Sequence, residues 1–379
     1  MTKLTKREPI RLGIVGSCGR GATFRGVCSD IDGITIHAVC DINEVSLAKS
    51  KKETGAIKSY LNYEEMLDKA GLDAVLISTP MHLHVDQSIA ALNRNIHVLC
   101  EVTAGISTEE CRKLVIAAKK SEAIYMMGEN YIYTKPNQII TELVKQGLFG
   151  TPYYAEAEYL HEIKEYSTLT PWRRTWQTGI DGITYGTHSL GPILKWMPGD
   201  RVLRVCCEGS GVRHQDTLGN DYCQSGSTML CKTEKDALIK IRVDLLSERP
   251  HTGSNYQLQG TDGCYESSRG GPWDKDKIWL RSRDPNYHWR DLSMFSDIPE
   301  LTKKYLPPGW LEITNKAQQS GHGGGDYFEI FDFVRVIQGD IPNPLGIHEA
   351  MDMTLPGLIS QKSIKAGGAW MEVPDSRDW

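Results

Sequence analysis

The sequence predicts an α/β chain: an N-terminal domain with a doubly wound parallel sheet, then an α+β domain with an antiparallel or mixed sheet. Three observations predict it. Short apolar runs alternate with amphipathic stretches as far as Gly128, a glycine-rich turn follows the first of those runs, and beyond Tyr133 strand-like runs succeed one another with few helices between them. The 379 residues fit two domains, at roughly 100 to 200 residues each. The change of texture sets them at 1–130 and 131–379.

In the first domain Arg11–Val15, Ile34–Cys40, Ala74–Ile77, Ile96–Cys100 and Ile124–Met127 read as strands. Glu64–Ala70, Val85–Asn93 and Thr108–Ser121 lie between them with apolar residues at helical spacing, so right-handed crossovers and a parallel sheet follow. The second domain opens with a helix over Pro136–Gln146, closed by Gly147. Strands are expected at Tyr153–Tyr159, Arg201–Glu208, Ser227–Cys231, Leu238–Leu245 and Asn255–Gln259, with a turn at Gly260–Gly263. Residues 267–319, rich in proline, tryptophan and charge, read as a long excursion that helps form a site or an interface. A helix over Tyr327–Ile337 follows a glycine-rich loop.

Composition narrows the function. Lysine and arginine total 43 against 48 aspartates and glutamates, a net charge of −5 without long like-charged blocks, which offers no footprint for nucleic acid. No apolar run approaches the roughly 18 residues of a membrane span, so no membrane partner is expected. The charged N-terminus passes directly into a strand with no leader-like apolar region, and the ten cysteines are scattered with no CxxC pair. A cytoplasmic protein with reduced thiols is expected.

The glycine turn reads Gly16-Ser17-Cys18-Gly19-Arg20-Gly21, between the first strand and a helix-like segment, and Asp41 ends the second strand about 20 residues on. The first glycine permits the tight turn, amides at the helix start meet a pyrophosphate, and the acid accepts hydrogen bonds from the adenosine ribose hydroxyls. An acid there also repels a 2'-phosphate. The pattern therefore predicts a Rossmann domain that takes NAD rather than NADP. Cys18 stands where the second glycine of GxGxxG would fall, and its side chain is expected to push the pyrophosphate slightly outward.

Further segments carry a resemblance. The third strand ends Ile77-Ser78-Thr79-Pro80-Met81-His82-Leu83-His84 and the fourth Val98-Leu99-Cys100-Glu101-Val102-Thr103. With the glycine turn these resemble the glucose-fructose oxidoreductase, inositol dehydrogenase and rhizopine catabolism superfamily, whose fourth strand ends in Glu-Lys-Pro. Here Val102 stands in place of that catalytic lysine and Thr103 in place of the proline. The NAD-dependent glycosidases of that superfamily show a similar loss. Glu129-Asn130-Tyr131-Ile132-Tyr133, Tyr185-Gly186-Thr187-His188-Ser189-Leu190-Gly191-Pro192 and Gly321-His322-Gly323-Gly324-Gly325-Asp326-Tyr327 look like that branch. Where the ordinary dehydrogenases carry an aspartate four residues before the histidine, this chain has Thr184.

The resemblance implies roles. Oxidising a sugar alcohol sends hydride to nicotinamide while a base takes the hydroxyl proton, and His188 is the expected base because imidazole changes charge near neutral pH. Tyr185 is expected to relay or donate a proton, with plain packing as its alternative, and Tyr133 carries the same pair of readings. Thr79, Pro80, His84, Glu101 and Asn130 are expected on the cofactor side. Trp172, Arg173, Thr184, His322 and Asp326 are expected at the sugar, with a helix cap as the alternative for Asp326, and Arg174 is a further candidate for the pocket wall. His82-x-His84 contains metal-capable side chains but no third ligand nearby in sequence, and no metal is expected.

The activity so implied is NAD-dependent oxidation of the C3 hydroxyl of the glucosyl unit of a C- or O-glycoside, the first step of deglycosylation. The ketone acidifies the neighbouring C2 hydrogen and permits elimination of the anomeric substituent, either by a downstream lyase or in this chain as a self-contained glycosidase. An NAD sensor is the third reading. The resemblance also implies that the sheet of the C-terminal α+β domain is mostly antiparallel and open-faced, and such a face favours a homo-oligomer.

Overall fold

The computed structural model describes residues 8–250, 253–271, 273–307, 310 and 320–379. Among these, the apolar runs of the first third form β1 (Ile10–Val15), β2 (Ile34–Cys40), β3 (Lys58–Tyr60), β4 (Ala74–Ile77), β5 (His97–Glu101) and β6 (Tyr125–Gly128). They pair in parallel in the order β3-β2-β1-β4-β5-β6. Ala74 to Ile77 are all buried, and Leu12 and Ile14 of β1 are fully so, as a sheet covered on both faces requires. Strand order reverses between β1 and β4, which opens a crevice at the carboxyl ends of these strands, where doubly wound folds bind their ligands. The helices Glu44–Thr54, Tyr63–Lys69 and Thr108–Lys120 start where Asn43, Asn62 and Ser107 accept the amide protons of Ser46, Glu65 and Glu110.

The second sheet contains β7 (Pro152–Leu160), β8 (Val202–Gly209), β9 (Ser227–Thr233), β10 (Leu238–Asp244), β11 (Gly253–Gly260), β12 (Gly263–Glu266), β13 (Lys277–Leu280), β14 (Arg290–Asp291) and β15 (Met371–Glu372). Its order is β14-β13-β12-β11-β7-β10-β9-β8-β15, antiparallel except for β7 with β10. Alternation sorts its two faces. Ala155, Ala157, Tyr159, Ile239, Ile241, Met229, Cys231, Tyr256 and Leu258 share one face and are buried. On that side lies the helix Thr187–Trp196, whose Trp196 meets Tyr256 edge to face at 5.6 Å. The other face carries a charge ladder in register: Glu156 with Lys240 at 2.5 Å, Glu158 with Arg242 at 3.4 Å, and Glu266 with Lys277 at 2.9 Å.

Two compact units result. One comprises residues 1–130, 315–351 and 376–379, the other 131–314 and 352–375. Nothing in the sequence pattern signals the return of 315–351 to the first unit. Residues 267–319, expected to be irregular, contain β13, β14 and the short helices Met294–Asp297 and Pro299–Tyr305, while 311–319 lie outside the described residues. The 19-residue helix Ile347–Lys365 was also unforeseen. Pro356 sits inside it and Met353 to Ser360 are buried without a break, so it has no polar stripe for periodicity to detect. Among the described residues, no helix is long and apolar enough to cross a membrane.

Candidate active site

In the first unit the glycine turn leaves β1 through Gly16. Its φ of +77° suits glycine, and a Cβ there would lie 2.7 Å from the Ser78 carbonyl oxygen on the neighbouring strand. Gly21 is equally confined, 2.6 Å from the Ser78 hydroxyl. Gly19 differs: a Cβ there would meet nothing nearer than the Gly16 oxygen at 4.0 Å. The fold alone does not require a glycine at 19, and the open space over it is what close approach of a pyrophosphate needs. Ser17 turns inward and takes a hydrogen bond from Ser50 at 3.1 Å. The Cys18 side chain packs against Val39, Leu47 and Ala56. The residue stays half-buried, and its thiol is raised above the usual range by burial and by Asp41. Asp41 accepts the amide protons of Cys18 at 2.9 Å and Asn43 at 3.0 Å. Each carboxylate oxygen keeps a lone pair for a ribose hydroxyl.

Arg20, at the start of the helical turn, points away from the sheet's edge into a network of acids. Its Nε donates to Glu101 at 2.7 Å, and its two terminal nitrogens clamp Asp326 at 2.7 and 2.8 Å. Asp326 also accepts from Asn130 Nδ2 at 2.8 Å and lies 2.9 Å from His322 Nδ1. Five residues expected at two different ligands thus meet in one cluster within the first unit. Asp326 is held far below the usual carboxylate range by Arg20 and His322, which outweigh its burial. The helix-cap alternative does not apply, because the helix Gly325–Ile337 has no side-chain cap and Asp326 lies inside it. One turn on, Glu329 is wholly buried with both carboxyl oxygens unpartnered among the described residues. Burial first, then the charges of Glu101 and Asp326, push it well above the usual range, which favours its neutral form.

Two cofactor-side expectations change. His84 is fully buried, and its ring nitrogens lie 2.8 Å from the Thr103 oxygen and 2.9 Å from the Thr79 oxygen. It staples the ends of β4 and β5 together instead of reaching a nucleotide, and burial depresses its pKa. The Thr79 hydroxyl is engaged as well, donating to Gln87 at 2.6 Å. Pro80 opens the short turn Met81–Leu83.

In the second unit His188 is buried at the start of its helix and enclosed by tyrosines. Ring centroids lie 4.4 Å away for Tyr131, 5.1 Å for Tyr185 and 5.3 Å for Tyr159. Tyr256 donates to the His188 carbonyl oxygen at 2.5 Å, tying the helix start to β11. The loop before it is pinned from behind. Ile183 donates its amide proton to Ser360 at 2.8 Å, and a Cβ at Gly357 would lie 2.3 Å from the Ile183 oxygen, so Gly357 and Ser360 set where Thr184 and Tyr185 begin. Tyr133 is buried on the turn that carries Tyr131. Asn137 and Gln138 bond to the carbonyls of Tyr131 and Ile132 and fix that turn, and the ring it presents to His188 is Tyr131. Trp172 and Arg173 form their own group: the guanidinium stacks 4.4 Å over Trp172 and 5.0 Å over Tyr166 and donates to Gln177 at 2.7 Å. Arg174 anchors a neighbouring loop through Asp216 and Tyr222.

Residues that sequence reasoning passed over are Tyr131, Tyr159 and Glu329. Tyr131 stood in a motif already singled out, and Tyr159 is the inward-facing residue at the end of a strand. Glu329 showed only as a lone acid in an apolar helix.

Comparison with known proteins gives two matches that meet near residue 130. Residues 133–378 match the model for the C-terminal domain of glycosyl hydrolase 109, and residues 10–129 match the oxidoreductase family with an NAD-binding Rossmann fold. The chain belongs to glycosyl hydrolase family 109. A glycosyl hydrolase family 109 protein of Saccharopolyspora erythraea is 26% identical over 97% of this chain and 83% of its own length. An α-N-acetylgalactosaminidase of Shewanella oneidensis is 26% identical over 98% and 85%. Among solved structures, levoglucosan dehydrogenase in complex with NADH and L-sorbose superposes with a TM-score of 0.79 at 17% identity, over 97% of this chain and all of that one. The scyllo-inositol dehydrogenase of Lactobacillus casei gives 0.73 at 16%, over 97% and 99%. The first unit of this family member is thus the NAD-binding fold of the glucose-fructose oxidoreductase and inositol dehydrogenase superfamily, and the chain is an oxidoreductase with NAD as cofactor.

Its residues fit that cofactor. Gly19 leaves open space, Asp41 keeps acceptor capacity, and Asn130, 2% exposed, has a buried Oδ1 with no hydrogen-bond partner among the described residues. A ligand N–H or hydroxyl would satisfy that oxygen.

Two predictions follow from this geometry. Gly16→Ala should lower the melting temperature markedly, because a methyl group must enter a space closed by backbone, whereas Gly19→Ala should melt like the parent and bind NAD more weakly by calorimetry. For Glu329, a raised native pKa means the folded state holds a proton that the unfolded state releases above about pH 4.5. Its contribution is therefore present at low pH and lost as pH rises, by at most about 1.4 kcal/mol per pH unit. Glu329→Gln should gain stability relative to the parent between pH 5 and pH 8, as read by denaturant melts; a constant difference would contradict the assignment.

Proposed function

We propose that the chain oxidises the C3 hydroxyl of the glucosyl or related hexosyl unit of a glycoside to a 3-oxo-glycoside, opening the route to loss of the anomeric substituent. The observation that carries this reading is His188 enclosed by Tyr131, Tyr159 and Tyr185, in a chain where Val102 replaces the lysine of the ordinary dehydrogenases. Bound NAD supplies the hydride acceptor. Asp41, Gly19 and Asn130 would hold it, and Glu101 with Arg20 would fix the nicotinamide end. His188 takes the hydroxyl proton, and the tyrosines around it exclude bulk water and orient the sugar. Thr184, buried on the loop before Tyr185, and the stacked pair Trp172 and Arg173 would contact the sugar.

A second reading shares the first step: oxidation, elimination, water addition and reduction in one site, a glycosidase in which NAD is restored each cycle. The match to glycosyl hydrolase 109 over 133–378 favours it over transfer of the ketone to a separate lyase. The experiment is incubation with aryl hexosides, α-N-acetylgalactosaminides included, with absorbance at 340 nm and products by mass spectrometry. A product two mass units lighter marks the stand-alone oxidase, and free aglycone with intact sugar and no net NADH marks the glycosidase. Silence on every glycoside overturns both. His188→Ala should lower either activity by about 10²–10⁴-fold, the range for loss of a general base, while leaving NAD affinity unchanged.

We also propose that the charged outer face of the second sheet meets another copy of the chain, since an uncovered ladder of this breadth invites pairing. Sedimentation velocity at micromolar concentration should show a closed oligomer; a monomer would remove the idea.

A further inference from the structure

Around Arg20 the first unit gathers more acid than one guanidinium can serve. Arg20 bonds Glu101, at the end of β5, and Asp326. Glu329, one turn beyond Asp326 on the helix Gly325–Ile337, and Glu129, just after β6, are fully buried as well. The helix carries Glu329 over the end of β6, its Oε2 3.3 Å from where a Cβ on Gly128 would stand. Both of its carboxyl oxygens, and the Oδ1 of buried Asn130 in the same cluster, have no hydrogen-bond partner among the described residues. His322, exposed and 2.9 Å from Asp326, is the cluster's edge on water. The short helix Phe24–Ser29 packs on the same helix, but its Arg25 is held by Glu53 and the Ser17 carbonyl.

The strand order sets this cluster along the cofactor. Asp41 ends β2 and the glycine turn follows β1, so a dinucleotide with its adenosine at the one and its pyrophosphate at the other has its nicotinamide half beyond the reversal of strand order, toward the ends of β4, β5 and β6. Those ends carry Glu101, Glu129 and Asn130. A nicotinamide ring is positively charged when oxidised and uncharged when reduced, and a carboxyl in a dry site answers such a charge by losing or gaining its proton.

We propose that Glu329 is a proton site linked to the oxidation state of the bound cofactor, ionised beside oxidised NAD and protonated beside NADH. Burial and the neighbouring acids hold its carboxyl high, and an arriving positive charge lowers it again. Glu329 takes its proton from water as hydride delivers two electrons and one proton, so the loaded site gains two electrons and two protons where free NAD gains two electrons and one. The net charge of the cluster is then the same before and after hydride transfer, which lets one site hold both forms of the cofactor. Glu329 does this without touching the sugar, so the proton site needs bound NAD and none of the sugar chemistry proposed above.

The test is calorimetric titration of the full chain, freed of nucleotide, with oxidised NAD and with NADH, each in two buffers of different ionisation enthalpy, to count the protons exchanged. Oxidised NAD should release more than NADH, by a difference approaching one proton. The ratio of the dissociation constant for oxidised NAD to that for NADH should fall as pH rises from 6 to 8, by at most about tenfold per unit. Glu329→Gln keeps the shape of the side chain and cannot ionise, so in it the difference in proton count should vanish and the ratio should lose its slope. Equal proton counts in the parent, or a slope that survives in Glu329→Gln, would overturn the proposal. Should Glu329→Gln fail to fold, infrared difference spectroscopy on the parent decides: NADH-loaded minus NAD-loaded protein should show a protonated-carboxyl band that shifts in D2O, and its absence removes the site.

Discussion

The bridge from Arg20 to Glu101 and Asp326 is the constraint around which the first unit is arranged. It joins the glycine turn, the end of β5 and the helix Gly325–Ile337, elements far apart in sequence, through one guanidinium whose five N–H groups suit simultaneous bonding to two carboxylates. Burial alone would make this arrangement unfavourable, since desolvating charged groups costs several kcal/mol each. It persists because Asp326 is served from three sides, by Arg20, Asn130 and His322, and because burial pushes the Glu329 carboxyl beside it upward, toward its neutral form. A second ionised carboxylate at 329 would leave one arginine facing too much negative charge in a dry space. The upward shift of Glu329 and the downward shift of Asp326 are two sides of that one balance.

That arrangement also explains why residues expected at different ligands collect together. Arg20 belongs by position to a glycine turn of the kind that holds phosphate, yet Asp326 and Glu101 hold its guanidinium, so what that turn leaves open is its backbone and the space at Gly19. Asn130 gives one end of its amide to Asp326 and keeps the other unsatisfied. The amide orientation is therefore set by the acid, and the free oxygen is left for a ligand.

The sheets, their direction and the glycine turn were legible because each rests on local rules: alternation, helical spacing and a glycine forced by φ and by strand proximity. The edge strand Lys58–Tyr60 was not, since two half-buried residues flanking an exposed one are too few to leave a pattern. The helix Ile347–Lys365 was hidden by its uniform burial. At the candidate site, His188 and Tyr185 were visible through a motif. Tyr159 was not, because its neighbours in space come from β11, the turn at Tyr131 and the helix at Thr187, and only the register of the sheet brings them together. His84 shows the reverse failure. A histidine after a strand end looks available for a ligand, but when two backbone carbonyls lie within hydrogen-bond distance of its ring it serves the fold.

Val102, where the ordinary dehydrogenases of the superfamily carry lysine, is 5% exposed, and an alkyl side chain can neither take nor give a proton. On the C3-oxidation reading proposed above, the proton chemistry therefore falls to the second unit's own groups. There His188 stands among three phenolic rings, one of them within hydrogen-bond distance of a second imidazole. A cluster of that kind holds several exchangeable protons, which a single hydride transfer does not call for and a sequence of oxidation, elimination and reduction does.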